Sequence, residues 1–251
     1  MTGGGDGPLV APGTCAAARQ ASRAGQTSRA GQTSRGGRPP VLLAVAHGTR
    51  SAAGQAQIRD LVDRVACRRP DLDVRLAYVD VQQPRVGEAI RGLDAVVVPL
   101  LLSSGYHVRV DIAEAVAANN AVATAPLGPD PALVRSLESR IAGADAVVLA
   151  AAGSSDPSWR ADIAAVAERL GAHVAYASGT ELRVPEVVAR LRAEGARRIT
   201  IAAYLLAEGL FYSSLHRAGA DLVTPPLCAD PAVVDLVLAR YHHLTMAPSR
   251  L

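Results

Sequence analysis

From Val41 onward the chain alternates short unbroken runs of apolar residues with longer stretches whose apolar positions recur every three or four residues. The first pattern marks strands covered on both faces; the second marks helices with one buried stripe. Strands are therefore predicted over 41–47, 74–80, 95–102 and 121–127, and helices over 53–69, 85–93, 110–118 and 131–141. The same order then recurs, with strands over 146–151, 174–177, 199–206 and 222–226 and helices over 159–170, 184–193, 210–218 and 231–244. Strand–helix alternation implies crossover connections, and so parallel sheets flanked by helices.

The recurrence is legible in the residues as well. His47-Gly48-Thr49-Arg50-Ser51 aligns with Ala152-Gly153-Ser154-Ser155-Asp156, and Leu100-Leu101-Leu102-Ser103-Ser104-Gly105 with Tyr204-Leu205-Leu206-Ala207-Glu208-Gly209. Pro126-Leu127-Gly128-Pro129-Asp130-Pro131 aligns with Pro226-Leu227-Cys228-Ala229-Asp230-Pro231. Gly48 and Gly105 lie 57 residues apart, Gly153 and Gly209 56. An internally duplicated α/β protein of two similar lobes is expected, over 40–143 and 144–251. Residues 1–39 differ: Ser-Arg-Ala-Gly-Gln-Thr occurs twice, at 22–27 and 28–33, without apolar periodicity. Such a segment buries too little to offset its ordering entropy and is expected to be a disordered, dispensable tail.

Composition narrows the function. Apolar residues make up 49% of the chain and aromatics 3%, which suits Ala/Val/Leu strands under helices. The net charge of +3 is misleading, because five arginines and one acid before residue 40 place +4 in the tail and leave the rest near −1. The body shows no basic patch of the kind nucleic acid requires. Nor is there an apolar run of membrane-spanning length or a secretory signal pattern. Cys15, Cys67 and Cys228 are too dispersed for a zinc or disulfide framework, so a reduced, cytoplasmic protein is the simple expectation, with a monomer favoured.

The candidate chemistry lies in the first lobe. His47 ends the first strand, Asp80 the second, and His107 follows the third after the turn Ser103-Ser104-Gly105-Tyr106. Ligands of open parallel sheets bind beyond the carboxyl ends of the strands. Two imidazoles and a carboxylate there suit a borderline divalent ion such as Fe(II) or Co(II), and equally suit proton removal. In the second lobe Ala152 and Phe211 stand opposite His47 and His107, so the scaffold accepts apolar residues at both positions. Asp80 is either a ligand or a strand-end cap. Arg50 and Arg109 flank the histidines and are either carboxylate clamps or ordinary surface arginines. Gly105 serves a close backbone approach or a positive φ.

Val45-Ala46-His47-Gly48-Thr49-Arg50, the segment Pro99–His107, Val110-Asp111-Ile112 and Leu127-Gly128-Pro129-Asp130-Pro131 together resemble the sirohydrochlorin chelatases over roughly residues 41–245. The resemblance implies the type II chelatase fold, with two lobes facing across a cleft. It further implies a lyase-class metal chelatase in which His47 and His107 bind metal and accept protons, and Asp80 stands where relatives often carry Glu. The substrates would be sirohydrochlorin and a divalent metal ion, with no further cofactor. Arg50, Arg109, Ser103, Ser104, Gly105 and Tyr106 would meet the macrocycle. Fe(II), giving siroheme, is favoured over Co(II) for cobalamin. A non-catalytic carrier of metal or tetrapyrrole would use the same pocket. Phosphohistidine phosphatases also carry His-Gly, but with Arg before the His, where this chain has Ala46.

Overall fold

The computed structural model describes residues 39–103 and 105–245, and for residues 106–109 the backbone alone. The expectation for the N-terminal tail lies outside the described residues. The first sheet comprises β1 (Val41–Ala46), β2 (Val74–Tyr78), β3 (Ala95–Pro99) and β4 (Ala121–Ala123). Its helices are α1 (Ala52–Arg68), α2 (Val86–Ala89), α3 (Tyr106–Ala117) and α4 (Pro131–Glu138). The second contains β5 (Ala146–Ala151), β6 (His173–Tyr176), β7 (Ile199–Ala203) and β8 (Leu222–Val223), with α5 (Pro157–Leu170), α6 (Val184–Ala193), α7 (Leu210–Leu215) and α8 (Pro231–Thr245).

Both sheets are wholly parallel and share one order, β2-β1-β3-β4 and β6-β5-β7-β8. The two-lobed α/β architecture expected from the periodicity is the one observed. Leu42, Leu43, Val45, Val97 and Val98 are fully buried because helices cover both faces of the sheet. Helix starts follow their caps: Ser51 accepts from the Gly54 N–H, Asp130 from that of Ala132, and Asp156 from those of Ser158 and Trp159. Gly171, at φ 59°, ends α5 in the left-handed conformation.

The lobes exchange their last helices. α8 packs on α1 and β3 of the first lobe, and α4 packs on α5 of the second. One apolar cluster therefore joins Leu42, Val96, Leu133 and Leu137 to Leu149, Trp159, Val237 and Tyr241. Two polar links repeat the exchange: Arg140 pairs with Asp230 at 2.7 Å, and Arg240 with Asp130 at 3.1 Å. Cys228 is buried and free, its thiol pushed up to about 11 chiefly by burial. No helix among the described residues is long and apolar enough to cross a membrane.

Candidate functional site

In each sheet the chain leaves the first strand toward one edge and returns to the other, so the carboxyl ends of β1 and β3, and of β5 and β7, diverge around a crevice. The two crevices share one cavity of about 1040 Å³. His47, Gly48 and Thr49 line it from β1, and Leu100–Ser103 and Gly105 from the turn after β3. From the second lobe come Ala152–Asp156 after β5 and Tyr204–Tyr212 after β7. A volume near ~1,000 Å³ is at the upper end for small-molecule sites.

His47 follows directly on β1 and is exposed. Pairing continues one step past the strands, since the Asp80 N–H donates to the His47 carbonyl at 2.9 Å. His47 and Asp80 are thereby neighbours. Gly48 makes this possible: it has φ +101°, and a Cβ there would lie 2.0 Å from the Asp80 carbonyl oxygen. The second lobe repeats the device. Gly153 has φ +106°, and the Ser178 N–H donates to the Ala152 carbonyl at 3.0 Å. Ala152 and Ser178 thus stand where the first lobe has His47 and Asp80.

The Asp80 carboxylate is not free. Its Oδ1 accepts from Arg85 Nη1 and from the Val81 N–H, each at 2.7 Å. The Arg85 bond, then the Val81 N–H, hold the carboxyl below its usual range, and the charges of Arg85 and His47 add to this. Asp80 does not line the large cavity. It faces a second one of about 570 Å³, shared with Val79, Arg85, Val86, Gly87, Asp111, Glu114 and Ala115, and His47 borders both. The sequence marks Arg85 only through the repeated spacing of Tyr78 to Arg85-Val86 and Tyr176 to Arg183-Val184, which the structure turns into matching bridges Tyr78↔Arg85 and Tyr176↔Arg183.

The segment after β3 departs from expectation. α3 begins at Tyr106, four residues before the helix predicted from Val110, so Tyr106, His107 and Arg109 lie on its first turn rather than in a loop. His107 still stands at the carboxyl end of β3, beside β1 in the sheet. The side chains of Tyr106, His107 and Arg109, and the whole of Ser104, lie outside the described residues. Gly105 has φ −65° as the N-cap, and a Cβ there would meet nothing within 4 Å, so neither reason offered for this glycine applies. Arg50 is exposed and follows Thr49, which lines the large cavity, but is not itself on the wall of either cavity. No cluster of three His, Cys, Asp or Glu suited to a metal occurs among the described residues, a set that leaves out the His107 side chain.

The second lobe reaches across to fix this turn. The Tyr204 hydroxyl donates to the Leu102 carbonyl at 2.9 Å, and the Ser103 hydroxyl to Asp162 at 3.0 Å. Burial pushes the Tyr204 phenol far up, with the Asp162 and Asp130 charges adding to it, so it remains a donor. The turn after β7 is tied back reciprocally: Gln57 donates to the Glu208 carboxylate at 2.8 Å, and the Glu208 N–H to Gln57 Oε1 at 2.7 Å.

The family model CbiX matches residues 41–144 and matches a second time over residues 146–244. The chain belongs to the CbiX family. The double match gives each lobe of this CbiX-family chain its own copy of the family unit. A sirohydrochlorin cobaltochelatase of Methanosarcina barkeri is 30% identical over 77 residues, 28% of this chain. The matched stretch spans 59% of that relative's length. Two solved structures share the fold. SirB from Bacillus subtilis with Fe3+ has a TM-score of 0.67 at 21% identity, over 82% of this chain and 96% of SirB. The sirohydrochlorin chelatase SirB from Bacillus subtilis subspecies spizizenii in complex with cobalt has a TM-score of 0.68 at 19% identity, over 84% and 97%.

Proposed function

We propose that this CbiX-family protein is a sirohydrochlorin chelatase, inserting a divalent metal ion into the macrocycle held in the large cavity. The observation that carries the reading is His47 on the wall of a cavity built from the strand ends of both family units. Metal insertion exchanges two pyrrole N–H protons for one divalent cation and is redox-neutral. A neutral imidazole serves both halves of the exchange, donating its lone pair first to the ion and then to a leaving proton. In this reading His47 and His107 meet the ion, and pyrrole nitrogens then replace them. Asp80, already held by Arg85, acts as an anion beside His47 rather than as the proton acceptor. Ser103 and Gly105 offer the turn against which the ring edge lies.

Fe(II), with siroheme as product, is the first reading of the metal. Co(II) is the second, and the cobaltochelatase name of the Methanosarcina relative favours it. Imidazole and carboxylate donors separate the two ions only weakly. The test is anaerobic turnover of sirohydrochlorin, followed by absorbance, with each ion at equal free concentration. Catalytic turnover with at least one ion is expected. His47→Ala should lose about 10²–10⁴-fold in rate, the range of a proton-transfer group, while keeping the wild-type melting temperature, since Ala152 occupies the matching place. A burst equal to the protein present, then nothing, would make the protein a carrier. Near-normal turnover by His47→Ala would remove the site assignment.

A further inference from the structure

We infer that Leu210 and Phe211 form the platform against which the flat face of the tetrapyrrole packs, and that this platform selects for a closed, planar macrocycle. The inference rests on the chelatase reading above and assigns a role to the second lobe. Leu210 is 79% exposed and Phe211, the one Phe of the chain, 40%. Of the exposed large apolar side chains among the described residues, these two alone line the large cavity. Tyr78, Trp159, Tyr176, Tyr204 and Tyr241 are all buried. An adjacent Leu-Phe pair left open to water inside a cavity, beside a half-buried Tyr212 and in a chain that buries these five rings, is the signature of a surface that a ligand covers.

Charge points the same way. The charged side chains of the described lining are Asp156 and Glu208, and no arginine is among them. Asp156 caps α5 and Glu208 is bonded to Gln57. A ligand rich in carboxylates gains nothing by turning its arms toward this wall. Its conjugated face does, because ring faces pack offset or edge-on against Phe and bury area on Leu.

Position completes the case. Leu210 and Phe211 open α7 immediately after the turn of β7 and occupy the places of Tyr106 and His107 in the repeat. The reciprocal Gln57–Glu208 bonds hold that turn to α1 of the first lobe. At Gly54 of α1 a Cβ would lie 2.0 Å from the Glu208 carbonyl oxygen, so the two backbones touch. The platform is therefore set at a fixed distance from the His47 wall, as a slot for a flat ligand requires.

The experiment uses the full-length protein and the variants Phe211→Ala, Leu210→Ala and Phe211→Tyr. Metal-free sirohydrochlorin binding is read from its absorbance shift, KM is measured separately for tetrapyrrole and metal ion, and an open-chain tetrapyrrole serves as comparison ligand. Phe211→Ala should weaken tetrapyrrole binding about ten-fold, a loss within the range for one aromatic contact, and leave KM for the metal ion unchanged. Leu210→Ala should act in the same direction more weakly, and Phe211→Tyr should stay within about two-fold of wild type, because the ring face is kept. The wild-type preference for sirohydrochlorin over the open-chain ligand should narrow in Phe211→Ala. Wild-type turnover with an unaffected tetrapyrrole KM in Phe211→Ala, or an equal loss in Phe211→Tyr, overturns the platform and leaves the chelatase. A wild type that neither binds nor metalates sirohydrochlorin overturns both.

Discussion

Gly48 carries a constraint that its neighbours transmit to the site. Its φ of +101° is costly for any other residue, and the missing Cβ is where the Asp80 carbonyl sits. Gly48→Ala should lower stability by about 1–3 kcal/mol through backbone strain alone. It should also move the end of β2 away from His47, so that denaturant melts show a lower midpoint and metal insertion falls further than stability does. Gly153 has the same conformation, and its Cβ would meet Ser178 at 2.8 Å, so Gly153→Ala makes a milder control. At this scale the sequence places His47 and Asp80 at the ends of consecutive strands, because an apolar run that stops at a polar residue locates a strand end; that the two strands pair is seen only in the structure. It did not show that Arg85 grips Asp80. That contact depends on a reversal through Val81, at φ 66°, which no periodicity announces.

The segments around the site are less legible in the sequence than the strands and helices that support them. The apolar runs overshoot β3 and β4 because Leu100–Leu102 and Thr124–Leu127 continue them after ladder pairing stops. Those extra apolar residues cover a cavity or the shared core rather than a neighbouring strand. α3 was expected to begin too late because Gly105 caps it without a side-chain hydrogen bond, leaving no polar cap residue to read. Where caps or prolines punctuate, as at α5 and α6, the expected and observed limits nearly coincide. The turn after β3 owes its position to Tyr204, a residue 102 positions away, and so to nothing local. Tyr204→Phe removes only that hydroxyl. The Leu102 carbonyl would lose its donor, costing about 0.5–1.5 kcal/mol, and the turn would be less firmly placed. We expect kcat to fall several-fold and the melting temperature to drop by a few degrees, with the metal-ion KM unchanged; unaltered kinetics would limit Tyr204 to packing.

Across the whole molecule, the links between lobes come in matched pairs, Arg140–Asp230 and Arg240–Asp130, each acid also capping the helix that follows it. Burial pushes the Asp230 carboxyl up, but bonds from Ser136 and the Ala232 N–H and the charge of Arg140 outweigh it and hold it below its usual range. A carboxyl depressed in the folded state stabilises fully above its unfolded value, about 4, and loses that contribution as pH falls through the folded value. Asp230→Asn should therefore cost about 1–3 kcal/mol at neutral pH, with the gap to wild type closing below about pH 3; a gap independent of pH would show that the loss is steric. The exchange of α4 and α8 was not legible in the sequence, since an amphipathic stripe states that a helix face is buried and not which sheet buries it. That exchange has a further consequence. Matched helices and matched, reciprocal ion pairs are what two identical chains would form on associating. In such an assembly every substitution appears on both walls of the cleft at once, and a wall cannot become apolar without its partner becoming so too. A single covalent chain is released from that rule. One wall of this cavity carries His47 and the other Ala152 and Phe211, a division of labour that two copies of one gene product are unable to reach.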